Sequence, residues 1–264
     1  MASPRVLILR APGTNCDEET AYAFELTGAK AERVHVNRLI ENPALHARYQ
    51  VLCIPGGFSY GDDIAAGRIL ASRLNRHLSE MVNAFVDSGD RLVLGICNGM
   101  QVLMRLGVLA SPATLTWNDQ GRFEDRWVHL AVDHGPCVFL RDIERMYLPV
   151  AHAEGKFAVT DPLRLAELRD QGRLALRYVM GESDALMGES AAPGDAPLPF
   201  PHNPNGSQAN VAGLCDASGR VFGLMPHPER YVDPTQHPRW TRGEAAADGG
   251  DGLAIFRNAV RWFS

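Results

Sequence analysis

Cys97 stands between two glycines at the end of an apolar run, in Arg91-Leu-Val-Leu-Gly-Ile-Cys97-Asn-Gly99-Met-Gln101. Leu92 to Ile96 reads as a buried parallel strand, and Met100 to Leu106 as an apolar-striped helix stopped by Gly107. A cysteine in the sharp turn between them has the setting of a nucleophile elbow. Such a turn strains the backbone and demands small residues two before and two after, which Gly95 and Gly99 supply. The positive end of the following helix then favours thiolate over thiol and leaves backbone NH groups free to hold an oxyanion. A buried structural cysteine fits the same short pattern.

A thiol nucleophile needs a base, and the base needs an orienting acceptor. Val221-Phe-Gly-Leu-Met-Pro-His227-Pro-Glu229-Arg230 offers both, 130 positions downstream (227 minus 97). Positions two apart in extended chain point the same way, and Pro226 and Pro228 restrict the backbone, so His227 and Glu229 can face one site together. Standing alone, the segment would equally make a surface turn. A third piece, Val51-Leu-Cys-Ile-Pro55-Gly56-Gly57-Phe58-Ser-Tyr-Gly61-Asp62, ends a short buried strand in paired glycines. These let the backbone approach a ligand and present NH groups, as an oxyanion hole requires, although a plain strand-to-helix loop would look alike. The Gly-x-x-x-x-Gly-Lys-Ser/Thr phosphate cradle is absent.

With these pieces in hand, the chain resembles the class I (triad) glutamine amidotransferases and, among them, the glutaminase components of phosphoribosylformylglycinamidine synthase. The likeness runs through Ala11-Pro-Gly-Thr-Asn15-Cys-Asp-Glu18, Pro55 to Asp62, Gly95 to Gln101, His152-Ala-Glu-Gly155, Asn203-Pro-Asn-Gly-Ser207 and Met225 to Arg230. It implies that Cys97 attacks the side-chain amide of glutamine, that His227 serves as base and then as acid toward ammonia, and that Glu229 orients His227. It implies an oxyanion hole from the backbone NH groups of Gly57 and Asn98. Substrate contacts are expected from Gly56, from Gln101, and from the turn Asn205, Gly206 and Ser207.

The resemblance also implies partners. Ammonia would pass to a separate large synthetase subunit that binds ATP and magnesium and converts formylglycinamide ribonucleotide to formylglycinamidine ribonucleotide in purine biosynthesis, with a third small subunit as a further candidate. No cofactor and no metal are expected on this chain. Two readings compete: another Cys-elbow α/β hydrolase, which glutamine dependence would separate, and a non-catalytic regulatory subunit, which a missing triad member would favour. None is missing.

Composition fits this picture. A chain of 264 residues with a formal charge of -5 has a sizeable core and no basic footprint for nucleic acid. No stretch approaches ~18 consecutive apolar residues, and Met-Ala-Ser-Pro is not a basic-then-apolar leader, so neither membrane insertion nor secretion is expected and a cytoplasmic protein is. Five cysteines without regular spacing make neither a disulfide framework nor a zinc site. Cys53, Cys137 and Cys215 lie in apolar runs and read as packing residues; Cys16 sits beside a helix start where Asn15 and Glu18 have capping-box spacing, and reads as structural.

The elements that must position these residues alternate. A strand at Arg5 to Leu9, a helix from Asp17 to Thr27 closed by Gly28, a strand at Ala31 to Val36, the strand ending at Pro55, one helix near Ile69 to Val86 and the elbow strand and helix follow in order. That is the pattern of a single α/β domain with a doubly wound, mostly parallel sheet flanked by helices, and it puts Gly57 and Cys97 at strand carboxyl ends. Trp127 to Phe139 and Leu174 to Val179 are more β-like, Val211 to Met225 reads as a hairpin around Asp216 to Gly219, and Leu253 to Phe263 as an amphipathic helix packing on the core. Gly181 to Pro201 and Pro234 to Gly252 are rich in Gly, Ala, Pro and acidic residues and read as flexible surface loops with little to bury. His152-Ala-Glu-Gly155 fits either a site-facing polar pair or a buried turn.

Overall fold

In a computed structural model the described residues are 3–181, 196–243 and 249–264. The strand β1 (Arg5–Arg10) is apolar at four consecutive buried positions, which only a strand covered on both faces can use. It pairs in parallel with β2 (Lys30–His35) and β3 (Val51–Ile54). Next to β3 lies β4 (Leu92–Ile96), and beyond it β11 (Val221–Leu224), both again parallel. The order of the nine-stranded sheet is β2-β1-β3-β4-β11-β10-β9-β6-β7, so this parallel half is followed by β10 (Val211–Cys215), β9 (Leu176–Val179), β6 (Glu124–Val132) and β7 (Arg145–His152). The added strands pair antiparallel throughout. β10 and β11 form the expected hairpin, closed where Gly219 N donates to Asp216 O. A separate antiparallel pair joins β5 (Thr114–Thr116) to β8 (Lys156–Ala158).

Helices flank the sheet. α1 (Asp17–Leu26) packs with α7 (Leu253–Arg261), where Phe24 meets Phe256 edge-on at 4.9 Å. α5 (Asn98–Arg105) covers β3, β4 and β11 and packs against α3 (Arg68–His77). The short α2 (Val36–Glu41) and α6 (Pro162–Asp170) carry connections. The expected single helix near Ile69 to Val86 is two: α3 ends and α4 (Ser79–Val86) begins at Leu78, whose φ of -136° is not helical. Leu70, Leu74, Leu78, Met81 and Phe85 are all buried, so the apolar period runs across the break and conceals it in the sequence.

A second difference lies at the start of α1. Its N-cap is Cys16, with no side-chain cap, so the capping box expected from Asn15 and Glu18 does not form. Glu18 turns outward to Arg33 instead, and Arg10 and Arg33 hold Asp17.

Of the two expected loops, residues 182–195 and 244–248 lie outside the described residues. The described part of Pro234 to Gly252 buries more than its composition suggests. It makes two 3-10 turns, at Pro234–Gln236 and Trp240–Arg242, and between them His237 is buried among Trp127, Tyr147 and Tyr231. Asp251 accepts the Tyr147 backbone NH at 2.7 Å.

Candidate active site

Cys97 occupies the turn from β4 to α5 at φ 50° and ψ -105°, a positive φ that a side chain rarely adopts. The fold over-determines this strain. Cys97 N donates to Leu224 O at 2.7 Å, and Gln101 N donates to Cys97 O at 3.1 Å. A β-carbon on Gly99 would collide with the Ile54 carbonyl, and one on Gly95 would come 2.8 Å from the Gly99 carbonyl oxygen. The two glycines are therefore what lets β3, β4 and α5 close around the elbow.

His227 follows β11 and is almost fully buried. Its backbone NH donates to Pro149 O at 2.8 Å, so the antiparallel half of the sheet curls back and brings the end of β7 to the ends of β3, β4 and β11. His227 Nδ1 and Glu229 Oε1 are 2.6 Å apart, and Glu229 is fully buried. A charge-assisted bond of this kind fixes the tautomer, leaving Nε2 as the working nitrogen. Burial pushes His227 down, but the charge of Glu229, then that of Cys97, and the nearby Cys16 and Cys97 thiols outweigh it and hold the imidazole well above its ordinary value. Nε2 has no hydrogen-bond partner among the described residues. The Cys97 thiol makes a long contact, 3.6 Å, to the Ala151 carbonyl, one it can leave for the imidazole.

Cys97, His227 and Gly57 line one cavity of about 150 Å³, together with Asn15, Phe58, Phe123, Asp125, Ala151 and Arg230. At about 30 Å³ per displaced water it suits a small metabolite better than a peptide. Larger clefts of about 570 Å³ lie elsewhere, one against α3 and α5 and one around residues 132–144, and neither contains a triad residue.

Sequence reasoning missed most of the lining. Asp125 lies on β6 and Phe123 just before it, in a segment without a motif, and Arg230 is the residue after Glu229. Gly57, at φ 137°, forms an antiparallel bridge with Thr14, which holds the glycine turn against the segment before α1. Gly56 lies under the imidazole, where a β-carbon would meet His227 Cε1 at 2.7 Å, and is not part of the cavity wall.

The other expected contacts are placed behind the elbow. Asn98 Nδ2 donates to Gln101 Oε1 at 2.9 Å and to Asp62 Oδ1 at 3.0 Å, and Gln101 Nε2 donates to Glu154 O at 2.8 Å. Both amides are buried, and that of Gln101 is braced against the 152–155 turn. Asn205 Nδ2 donates to Gly155 O at 2.9 Å and to the Tyr178 hydroxyl at 3.1 Å, and Ser207 Oγ donates to Asn205 Oδ1 at 2.7 Å. Gly206 turns the chain at φ 78°. This turn thus docks on the 152–155 segment; its residues are not among those lining the cavity.

His152 and Glu154 belong to a buried turn. Glu154 Oε1 accepts from Ala66 N at 3.1 Å, and Arg105 lies 3.6 Å from its other oxygen. Asn118 Nδ2 donates to His152 O, so its Oδ1 faces the ring and receives the proton of His152 Nδ1 at 3.2 Å.

Cys16, His227 and Glu229 place one donor atom each within 4.8 Å of one another, a trio of zinc-binding types. Yet Nδ1 and Oε1 are committed to each other, and Arg230 Nη2 lies 3.2 Å from the Cys16 sulfur. A cation there would face a guanidinium and break the pair that orients the base, so the donor set suits proton transfer rather than metal binding.

Comparison with known proteins agrees with this geometry. The family model described as the CobB/CobQ-like glutamine amidotransferase domain matches residues 3–263. The chain is 46% identical to phosphoribosylformylglycinamidine synthase subunit PurQ of Dehalococcoides mccartyi, over 99% of this chain and 98% of that protein. It is 38% identical to the subunit PurQ of Methanococcus maripaludis, over 99% and 98%. Among solved structures, a chain of PurLQS from Thermotoga maritima superposes over 100% of both chains with a TM-score of 0.72 at 26% identity.

Proposed function

The chain belongs to the CobB/CobQ-like glutamine amidotransferase family, and we propose that it is the glutaminase subunit of a phosphoribosylformylglycinamidine synthase in purine biosynthesis. The observation that carries the reading is one small cavity holding a strained-turn cysteine and a histidine bound at 2.6 Å to a buried glutamate.

In this mechanism His227 Nε2 takes the Cys97 proton, and the sulfur attacks the side-chain carboxamide carbon of glutamine. The carbonyl oxygen gains the negative charge and rests on the backbone NH groups of Gly57 and Asn98. Collapse breaks the carbon–nitrogen bond; the imidazolium gives its proton to the leaving nitrogen, and ammonia departs from a glutamyl thioester. Water, deprotonated by His227, then attacks the thioester and releases glutamate and the Cys97 thiol. Gln101 and the Asn205 to Ser207 turn brace the 152–155 segment behind the cavity and so support the substrate site without lining it.

Ammonia release alone would waste glutamine. The proposal therefore includes delivery to a large synthetase subunit, where ATP and magnesium would be bound, and a third small subunit in the assembly. The PurLQS likeness and the PurQ relatives support these partners. No helix among the described residues is long and apolar enough to cross a membrane, and a cytoplasmic setting is part of the same proposal.

The test separates nitrogen sources. In the assembled complex, Cys97→Ala is expected to abolish synthesis from glutamine while synthesis from added ammonia persists. Equal loss from both sources, in a complex shown to assemble, would contradict the assigned role.

A further inference from the structure

Cys16 is a buried thiol that the triad mechanism leaves unused. It is the N-cap of α1 and is fully shielded from solvent. Its thiol points to Asn15 Oδ1 at 3.4 Å, and Arg230 Nη2 donates to its sulfur at 3.2 Å. The same sulfur stands with a His227 nitrogen and a Glu229 oxygen in the 4.8 Å cluster. Gly56 leaves the space for this meeting, since a β-carbon there would press on both the Cys16 sulfur, at 3.2 Å, and the imidazole.

We propose that Cys16 is a positioning residue of the glutaminase, holding the Arg230 guanidinium on its sulfur and so keeping that cation off the Glu229 carboxylate, which stays with His227. This rests on the glutaminase reading above. Glu229 Oε2 is buried without a hydrogen-bond partner among the described residues, while Arg230 is the next residue in the chain and senses the Glu229 charge. A guanidinium binds a carboxylate through two parallel hydrogen bonds wherever it can reach one. Released from sulfur, Arg230 would compete with the imidazole for Glu229, and His227 would lose the acceptor that orients it and supports its proton.

Cys16 suits the task because it accepts without competing. Burial pushes its thiol up, and the nearby His227 imidazole and the charge of Arg230 do not reverse that. It therefore meets the guanidinium as a neutral group and adds no second anion beside Glu229.

The experiment uses the full chain in complex with its synthetase partner, and compares wild type, Cys16→Ala and Cys16→Ser with glutamine and with ammonia as nitrogen source. Cys16→Ala is expected to lower glutamine-dependent kcat about ten- to a hundredfold, the scale of one hydrogen bond to a charged group, with little change in KM. Cys16→Ser keeps an acceptor for Arg230 and is expected to restore most of the rate. Ammonia-dependent synthesis should be equal in all three, which also reports correct assembly.

A packing role predicts the reverse order, because a hydroxyl sealed into the space of a thiol costs more than a methyl. That order, equal glutamine rates in all three, or a change confined to KM would overturn the proposal. A wild-type complex that uses ammonia but not glutamine would instead overturn the glutaminase reading itself.

Discussion

Two buried histidines near the cavity are tuned in opposite directions. His227 is held well above its ordinary value, against the downward push of burial, by Glu229 and its other partners. His152 is pushed down to about 3, first by burial and then by the charge of His227. Its Nδ1 proton goes to Asn118, and its Nε2 is a buried acceptor without a hydrogen-bond partner among the described residues. Unfolded, His152 regains the ordinary value of 6.5. Between that value and about 3 the unfolded chain binds a proton that the native state refuses, so stability is fully present above pH 6.5 and is lost as pH falls toward 3. Between pH 7 and 4.5, wild type should therefore lose roughly 2–3 kcal/mol more unfolding free energy than His152→Gln. Denaturant titration of both proteins at the two pH values tests this, and parallel losses would contradict it. Cys97, His227 and Glu229, which the fold brings together, could be singled out in the sequence because of their neighbours: glycines around Cys97, prolines around His227. Cys16 and Arg230 could not be read as partners, since 214 positions separate them (230 minus 16) and only the fold brings their side chains together.

At the scale of elements, the elbow depends on how closely α5 approaches β3. Gly99→Ala sets a methyl group against the Ile54 carbonyl, a backbone atom that cannot swing aside. The expected result is a loss of about 1–3 kcal/mol or more in stability together with loss of glutamine-dependent turnover, read by thermal unfolding and by assay. A variant with unchanged melting temperature and rate would show that the close approach is not required. Strands β3, β4 and β11 of the parallel half were readable because each is a short apolar run ending in a turn signal, as in Val51–Ile54. The break at Leu78 was not, because the apolar spacing continues through it. Nor was the failed capping box, since the alternative partner of Glu18, Arg33, lies on another element, β2.

Across the whole molecule, the parallel half supplies Cys97, His227 and the glycine turn, and the antiparallel half curls back to complete the cavity with Phe123, Asp125 and Ala151. That second half was only partly legible: its β character showed, but its return to the site rests on long-range pairing such as His227 N to Pro149 O, which no local pattern encodes. The cavity mouth carries Phe58 and Phe123, about half exposed, with ring centroids 6.2 Å apart. All five cysteines are free and buried, so a reagent that reacts at only one of them must be guided by a substrate site. The most direct measurement is therefore intact-mass and peptide mapping after exposure to an electrophilic glutamine analogue, alone and with the synthetase partner, with excess glutamine as competitor. A single adduct on Cys97, suppressed by glutamine, is the predicted result. An adduct spread over other cysteines, or none on folded protein in either state, would contradict a glutamine site built on the elbow.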